Sequence, residues 1–510
     1  MLKKCMQKGC QHSTEQNDFC ILHCDKNDKE YEREATASKR FVKVMIDEIL
    51  TKVTEEKQKK RLSHFFHSGM KKASLDQSDL VFFQSIEFTR LNFPKISNFN
   101  QVNYHAIFAV FDEITFLGCI FNHQMQQLSP YLSNTKFVDC QFRQALIIDE
   151  INSTSEHLDV VYRDCTFAQN VNLQLAAKES NKTNLTLFQN CQFLRTLSLS
   201  GDINYPIFDN SYHLKKDKDN FNFGKVHTLH VSNAHIKSKF ILNRVKVEHI
   251  SLENSSFEEE FELKDCAIGE LELKDIRMQK TAEFFNSHAE LFKCQKCKFY
   301  DFVSFEKFTV NKHTAFNYVT FLTFSTFRKA QFKGGLNLEQ SNFKEPSNFL
   351  NTYICTNNTN RETYRIIKHA FNKVGNVIEE EKYAVLEMRR YRKELKAQGR
   401  GFGQENIILF FNQKISNFGS SWKRSAFWLA ASITIFTLIE VGDEVNFLSQ
   451  HSARAVTILG YFDSWVLGTF PFFARFLPKG LEFIGLFYYF FFSLFLWQFI
   501  SSVKRYSKMK

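Results

Sequence analysis

Five residues near the start of the chain, Cys5, Cys10, Cys20, His23 and Cys24, have the types and the spacing that bind a metal ion. Three thiolates and one imidazole arrive as two local pairs, Cys-x4-Cys and Cys-x2-His, with nine residues between them. Four such donors complete a closed tetrahedral shell, which orders a short loop without a large core. The expected cofactor is therefore a structural zinc held by residues 1–26 through Cys5, Cys10, Cys20 and His23. Cys24 is the alternative fourth ligand, since neighbours in sequence do not easily bind one ion together. Elsewhere the chemistry is sparse. Cys294 and Cys297 form half of another site but have no second pair nearby, and they read as core. His227, His230 and His235 lack a thiol or carboxylate at ligand spacing and read as surface. The sequence carries no GxxxxGK[ST], HExxH or GxSxG, so no enzyme is expected.

The 510 residues are 44% apolar and 24% charged, enough to bury large cores and to exclude wholesale disorder. Six prolines and eighteen glycines exclude collagen-like and low-complexity chains and point to long regular elements. Phenylalanine is the outlier, with 58 copies against four tryptophans. The net charge of +11 is uneven: residues 101–350 are close to neutral, and the surplus lies at the two ends. No apolar run follows the first lysines, so synthesis is expected to begin in the cytosol, with reduced cysteines.

Phe41, Val44, Met45, Ile49 and Val53 recur at three and four, predicting an amphipathic helical arm within 27–70 that packs on the neighbouring domain. From 80 to 355 that period disappears. A short phrase replaces it: a small residue, one intervening residue, then Phe, as in Cys119 and Phe121, Cys140 and Phe142, Cys165 and Phe167, Cys191 and Phe193. Phe316, Phe321, Phe327, Phe332, Leu338, Phe343 and Phe349 then come at alternate steps of five and six. A step near five fits neither a helix nor a flat strand. It fits a coil that turns a corner at each unit, with Phe filling its interior and the cysteines lining one edge as small hydrophobes.

In this phrasing the chain resembles the bacterial pentapeptide-repeat proteins, and the resemblance implies a mostly β fold, a right-handed quadrilateral β-helix. About ten coils at roughly 4.8 Å each would make a rod of order 50 Å. The earlier half departs from the pattern: Asp139, Asp164 and Asn190 stand before the Cys rather than before the Phe, and 124–135 and 209–224 interrupt the step as side loops. The first 26 residues resemble small zinc-binding modules of the CxxxxC…CxxH type.

Two charged helices are expected over 359–398, broken at Gly375-Asn376, with Tyr364, Ile367, Ala370 and Phe371 on the apolar face of the first. They would cap the end of the solenoid. A membrane domain is expected at 420–510, with spans at about 425–441 and 483–503. Lysines and arginines before the first span and after the second predict a hairpin with both termini cytoplasmic. Between the spans, Ala455 to Ala474 is apolar except for Asp463, and three placements are open to it: re-entry into the membrane, the outer membrane face, or a third span. The whole order resembles membrane-bound bacterial pentapeptide-repeat proteins, which implies a multi-pass protein of the bacterial inner membrane.

The leading functional expectation is a non-catalytic, membrane-anchored scaffold that presents a cytosolic rod to a protein partner, in contact with membrane lipid. The second is a homo-oligomeric, ion-channel-like effector whose pore charges would include Glu440 and Asp463. The third is nucleic-acid binding by the zinc module and basic arm, disfavoured because basic residues alone do not read bases.

Overall fold

The computed structural model describes residues 4–7, 10, 12, 19–24, 35–67, 85–94, 107–108, 111, 113–122, 135–148, 160–175, 186–209, 224–444 and 482–508. They form two compact units, Met1–Asn358 and Thr359–Lys510. The first unit opens with two helices, α1 (Ala35–Lys52) and α2 (Glu56–His67), and continues as a β-solenoid of about nine turns. Among the described residues every strand pair in it is parallel, and the strands run from two to thirteen residues.

A simple alternation produces this coil. Two inward side chains, separated by one outward residue, precede two or three outward residues at which the chain bends. The inward pairs are Val245 and Val247, Ile250 and Leu252, Ser255 and Phe257, Phe261 and Leu263, and they continue at steps of five or six to Thr352 and Ile354. Four such pairs fill one coil. Ser256, Arg277 and Lys298 are consequently partners in register, 21 residues apart. In the later coils the offset is 22, as for Thr320 and Asn342. The bends do not always interrupt a strand: Val245–Glu253 and Ala267–Lys274 run straight through one. At such a bend the coils approach closely, and a Cβ on Gly269 would clash with the Glu248 carbonyl oxygen.

Large residues fill the interior as columns of stacked rings. Phe93, Phe121, Phe142, Phe167 and Phe193 stack at 4.7–5.0 Å with their planes within 11° of parallel. Beside them runs Phe88, Phe116, Phe137, Tyr162 and Phe188, and rings of the two columns meet edge to face, as Phe116 meets Phe121 at 5.4 Å. A later column comprises Phe284, Phe305, Phe327 and Phe349. Phe316, Phe321 and Phe332 are also buried. Phe343 stacks on Phe321 at 4.7 Å but is half-buried, as the last ring of its column among the described residues. Parallel stacking at one coil spacing and edge contacts between columns both suit the ring quadrupole, adding about 0.5–1.5 kcal/mol per pair beyond area burial.

The cysteines are more than small hydrophobes. Each holds its S–H between two carbonyls: that of an aromatic residue one coil earlier, Phe88 for Cys119, Phe116 for Cys140, Phe137 for Cys165 and Tyr162 for Cys191, at 3.3–3.5 Å, and that of the residue two positions before it, at 3.2–3.7 Å. Ser287 and Thr352 make the same bond to Leu263 and Phe327. Burial pushes the Cys119 and Cys165 thiols well up, so they remain protonated donors.

Asp139, Asp164 and Asn190, which depart from the repeat in sequence, are its corners. All three have left-handed backbones with φ of 52–56°, and each immediately precedes the small inward residue. Asn254, Asp265 and Asn286 do the same in later coils. Asp and Asn tolerate this conformation better than most side chains. At Gly118, with φ +63°, glycine serves the same corner. The corner residues also bond from coil to coil, Asn190 to Asp164 and Asn286 to Asp265 at 2.5–2.6 Å. Most of 124–135 and 209–224 lies outside the described residues.

The second unit is helical: α3 (Arg361–Lys373), α4 (Val377–Ala397), α5 (Gln404–Ser416), α6 (Trp422–Glu444) and α7 (Glu482–Lys508). The break between α3 and α4 falls at Gly375, φ +72°, and Asn376 then caps α4 by accepting the Glu379 amide. Tyr364, Ile367, Ala370 and Phe371 are buried as expected. Tyr383 and Leu395 answer from α4, whereas Leu386, Met388 and Tyr391 are half-buried. Buried Glu387 pairs with Lys368 at 2.7 Å. Helices α6 and α7 run antiparallel, with Ser425 beside Ser502 and Phe436 stacked on Tyr488. The helix α5 was not anticipated from the sequence.

If the thiols are donors and not fillers, replacing Cys119, Cys140, Cys165 and Cys191 together by Ser should leave thermal stability nearly unchanged. The fourfold Val variant should lose about 1 kcal/mol per site. Val319 already occupies an equivalent inward position, so size alone does not forbid the change.

Candidate metal centre

Of the five candidate ligands, the fold gathers four. Cys5, Cys10, Cys20 and His23 each offer one donor atom, and all four atoms lie within 4.8 Å of one another. Cys10 Sγ is 3.6 Å from Cys20 Sγ, and His23 Nδ1 is 3.1 Å from Cys20 Sγ and 3.7 Å from Cys5 Sγ. A tetrahedral zinc shell with bonds of about 2.3 Å to sulfur and 2.0 Å to nitrogen needs donors roughly 3.5–3.8 Å apart. The donor set fits. Cys24 does not join it: it is buried, and its thiol points to the Ile21 carbonyl at 3.8 Å.

Local backbone bonds explain how so short a segment makes the cluster. The amides of His23 and Cys24 both donate to the Cys20 carbonyl, winding Cys20 to Cys24 into a single turn that brings Cys20 and His23 to one side. The Cys5 amide donates to the His12 carbonyl and the Cys10 amide to the Gln7 carbonyl, which folds the first pair. The Cys20 amide reaches the Cys5 sulfur at 3.3 Å, a bond that steadies a thiolate ligand. Burial raises the Cys5 pKa, but amide hydrogen bonds from Cys20 and Gln7 outweigh it and leave it below the ordinary thiol value. Cys20 is pushed the other way, up to about 12, by burial and then by its neighbours Cys10 and Cys5. Such packed thiols repel one another once ionised, and a cation at their centre removes the conflict.

The same turn closes the first coil of the solenoid. Leu22, between the two ligands Cys20 and His23, is wholly buried, and its carbonyl accepts the amide of Asn92 at 2.8 Å. Asn92 begins the first of the parallel strands that continue through Ile120 and Gln141. Helix α1 lies beside it: Phe41 meets Phe93 edge to face at 5.5 Å, and Met45 and Ile49 are buried. Lys52 donates to the Glu87 carbonyl at 2.7 Å. Four protein donors leave no open position for substrate, so a metal here would hold the cap in place.

Among the described residues no second cluster gathers metal ligands. Cys294 and Cys297 are buried core, with burial pushing the Cys294 thiol well up. His227 pairs with Glu248 at 3.0 Å, and His235 lies between Asp202 and Glu258, all on the solvent face. Asp463 lies outside the described residues. Glu440 belongs to α6, with its side chain also outside the description. No family model, curated protein or solved structure matches the chain.

Cobalt(II) added to the metal-free protein should bind at one equivalent per chain and give the visible absorption of a tetrahedral thiolate site. Cys20→Ser should abolish that spectrum, and Cys24→Ser should leave it intact. Affinity should weaken as pH falls, because the thiols must release protons to bind.

Proposed function

We propose that the protein is a non-catalytic, membrane-anchored scaffold that offers a rigid β-solenoid to a protein partner. The observation that carries this reading is the construction of α6 and α7. Helix α7 contains a stretch, Phe483–Ser507, long and apolar enough to cross a membrane, and little of it is buried within the protein. Its exposed residues include Phe487, Phe490, Trp497 and Ile500, while Gln498 and Ser502 are buried. Helix α6 obeys the same rule. Phe427, Ile433, Ile435 and Leu438 face outward, and Ser425 is buried against Ser502. Exposed Thr434 and Thr437 turn their hydroxyls back to the carbonyls of Ala430 and Ile433, which satisfies them without water. Apolar outside and polar inside is the arrangement a bilayer favours.

In this reading α6 and α7 form a membrane hairpin. Lys423 and Arg424 begin one helix where Lys504 and Arg505 end the other, so the antiparallel pair carries its positive charge at one end. The positive-inside rule makes that end cytoplasmic. The solenoid is the right-handed, four-sided β-helix of pentapeptide-repeat proteins, supported by four inward pairs per 21-residue coil. The ion at the N-terminal cluster is zinc, supported by three thiolates, one imidazole and donor separations suited to a tetrahedron. The solenoid's regular outward rows suit recognition of another protein.

Membranes bearing the full-length protein should retain it through alkaline carbonate extraction and release it only to detergent. Release at high pH would overturn the anchor.

A further inference from the structure

We propose that α5 is a third lipid-contacting element, an in-plane helix seated at the charged face of the membrane with Ile407, Ile408 and Phe411 among the acyl chains. This rests on the membrane reading above. Along its middle the helix turns apolar side chains outward and polar ones inward. Ile407, Ile408 and Phe411 lie along one side, 45%, 61% and 43% exposed. Asn406 and Ser416 are buried, as is one apolar residue, Ile415. On that inner side Gln498 of α7 donates to Asn412 at 2.6 Å and accepts from Ser416 at 2.7 Å, and Arg392 of α4 donates to Gln413. Half-buried Leu409 shares this side with them. A surface helix in water shows the reverse, with polar residues outward and apolar residues toward the core.

Thirteen residues give a helix of about 20 Å, short of the roughly 30 Å of a bilayer core, so α5 lies along the membrane instead of crossing it. Its depth is fixed by its partners. Gln498 ties it to the last turns of α7 just before Lys504 and Arg505, and the Ser425 hydroxyl reaches the Ile415 carbonyl at the start of α6, beside Lys423 and Arg424. That is the basic, interfacial end of the hairpin. Phe402, 98% exposed, precedes the helix on the same chain segment. At the edge of the apolar side the Phe410 ring carries Arg392 at 4.8 Å and Lys414 at 6.0 Å, cations placed where phosphate headgroups would meet them. Continuity with the lipid-facing side chains of α7, together with this charge, names the occupant as a bilayer with anionic lipid.

The full-length protein, reconstituted into vesicles of three parts phosphatidylcholine to one part phosphatidylglycerol, can be tested by photocrosslinking from p-benzoylphenylalanine. Separate chains would carry it in place of Ile408, Phe411, Phe490 on α7, or Leu194 on the solenoid. All four sites are exposed, so the probe should not disturb folding. Lipid adducts at Ile408 and Phe411 should exceed those at Leu194 about tenfold, as for a face buried in the headgroup and acyl boundary. Adducts at Phe490 without adducts at Ile408 and Phe411 would overturn the placement of α5 and leave the anchor standing. Protein dimers formed through Ile408 would overturn it in favour of a second copy. Absence of lipid adducts at Phe490 as well would sink the membrane reading itself.

Discussion

The solenoid depends on one constraint: in every coil, the same inward positions must be filled by residues that stack on their counterparts one coil away. A stacked ring touches partners above, below and beside it, so its burial is shared among coils that are distant in sequence. The small position beside it must leave room for the ring and, in many coils, return a hydrogen bond to the preceding turn. Together these two demands explain why Phe is so abundant and why Cys, Ser and Thr alternate with one another at a buried place. They also explain why insertions between coils are tolerated: between Phe121 and Phe142 the offset is 21 residues, and between Phe142 and Phe167 it is 25, yet the rings remain in register.

A stack has two ends, and each exposes backbone groups that would otherwise pair with another chain. At the N-terminal end the protein supplies a cap of its own, the metal-ligand turn with α1. The turn is held by backbone bonds to the Cys20 carbonyl and buries Ile21 and Leu22, and a metal ion at the donor cluster would add to its order. Such an ion would be coupled to solenoid closure through Leu22, whose carbonyl accepts the Asn92 amide. In the second unit the constraint is inverted. Helices α5, α6 and α7 bury Asn406, Ser416, Ser425, Gln498 and Ser502 and expose many isoleucine and phenylalanine side chains, the arrangement on which the proposed membrane anchor rests.

Much of this was legible in the sequence. The phrase of small residue and Phe identified the coil because each copy marks the same two inward positions, and the metal ligands were legible because donors that bind one ion from a short loop must come in local pairs. The break at Gly375-Asn376 was equally plain. The corners were harder. Their residues share a backbone angle and not a chemistry, since Asp139, Lys296 and Tyr318 all adopt it. The long central strands hid the bends for a related reason: Glu248 and His249 turn the chain without Gly or Pro. Helix α5 escaped because its apolar residues, Ile407 to Phe411, stand in one unbroken run without the three-and-four spacing that marks an amphipathic helix. Cys24 could be excluded only once the turn at Cys20 fixed which side chains share a side.

The coil register is the claim on which the rest stands, and crosslinking measures it directly. With Ser256→Cys and Arg277→Cys in one chain, the two sites are facing partners on adjacent coils, close enough for a disulfide whose Cα atoms must lie about 4.4–6.8 Å apart. Oxidation should join the peptides containing them, as read by mass spectrometry, while Ser256→Cys with Lys298→Cys, two coils apart, should remain unlinked. Efficient linkage of the second pair, or none in the first, would contradict a solenoid with a 21-residue coil.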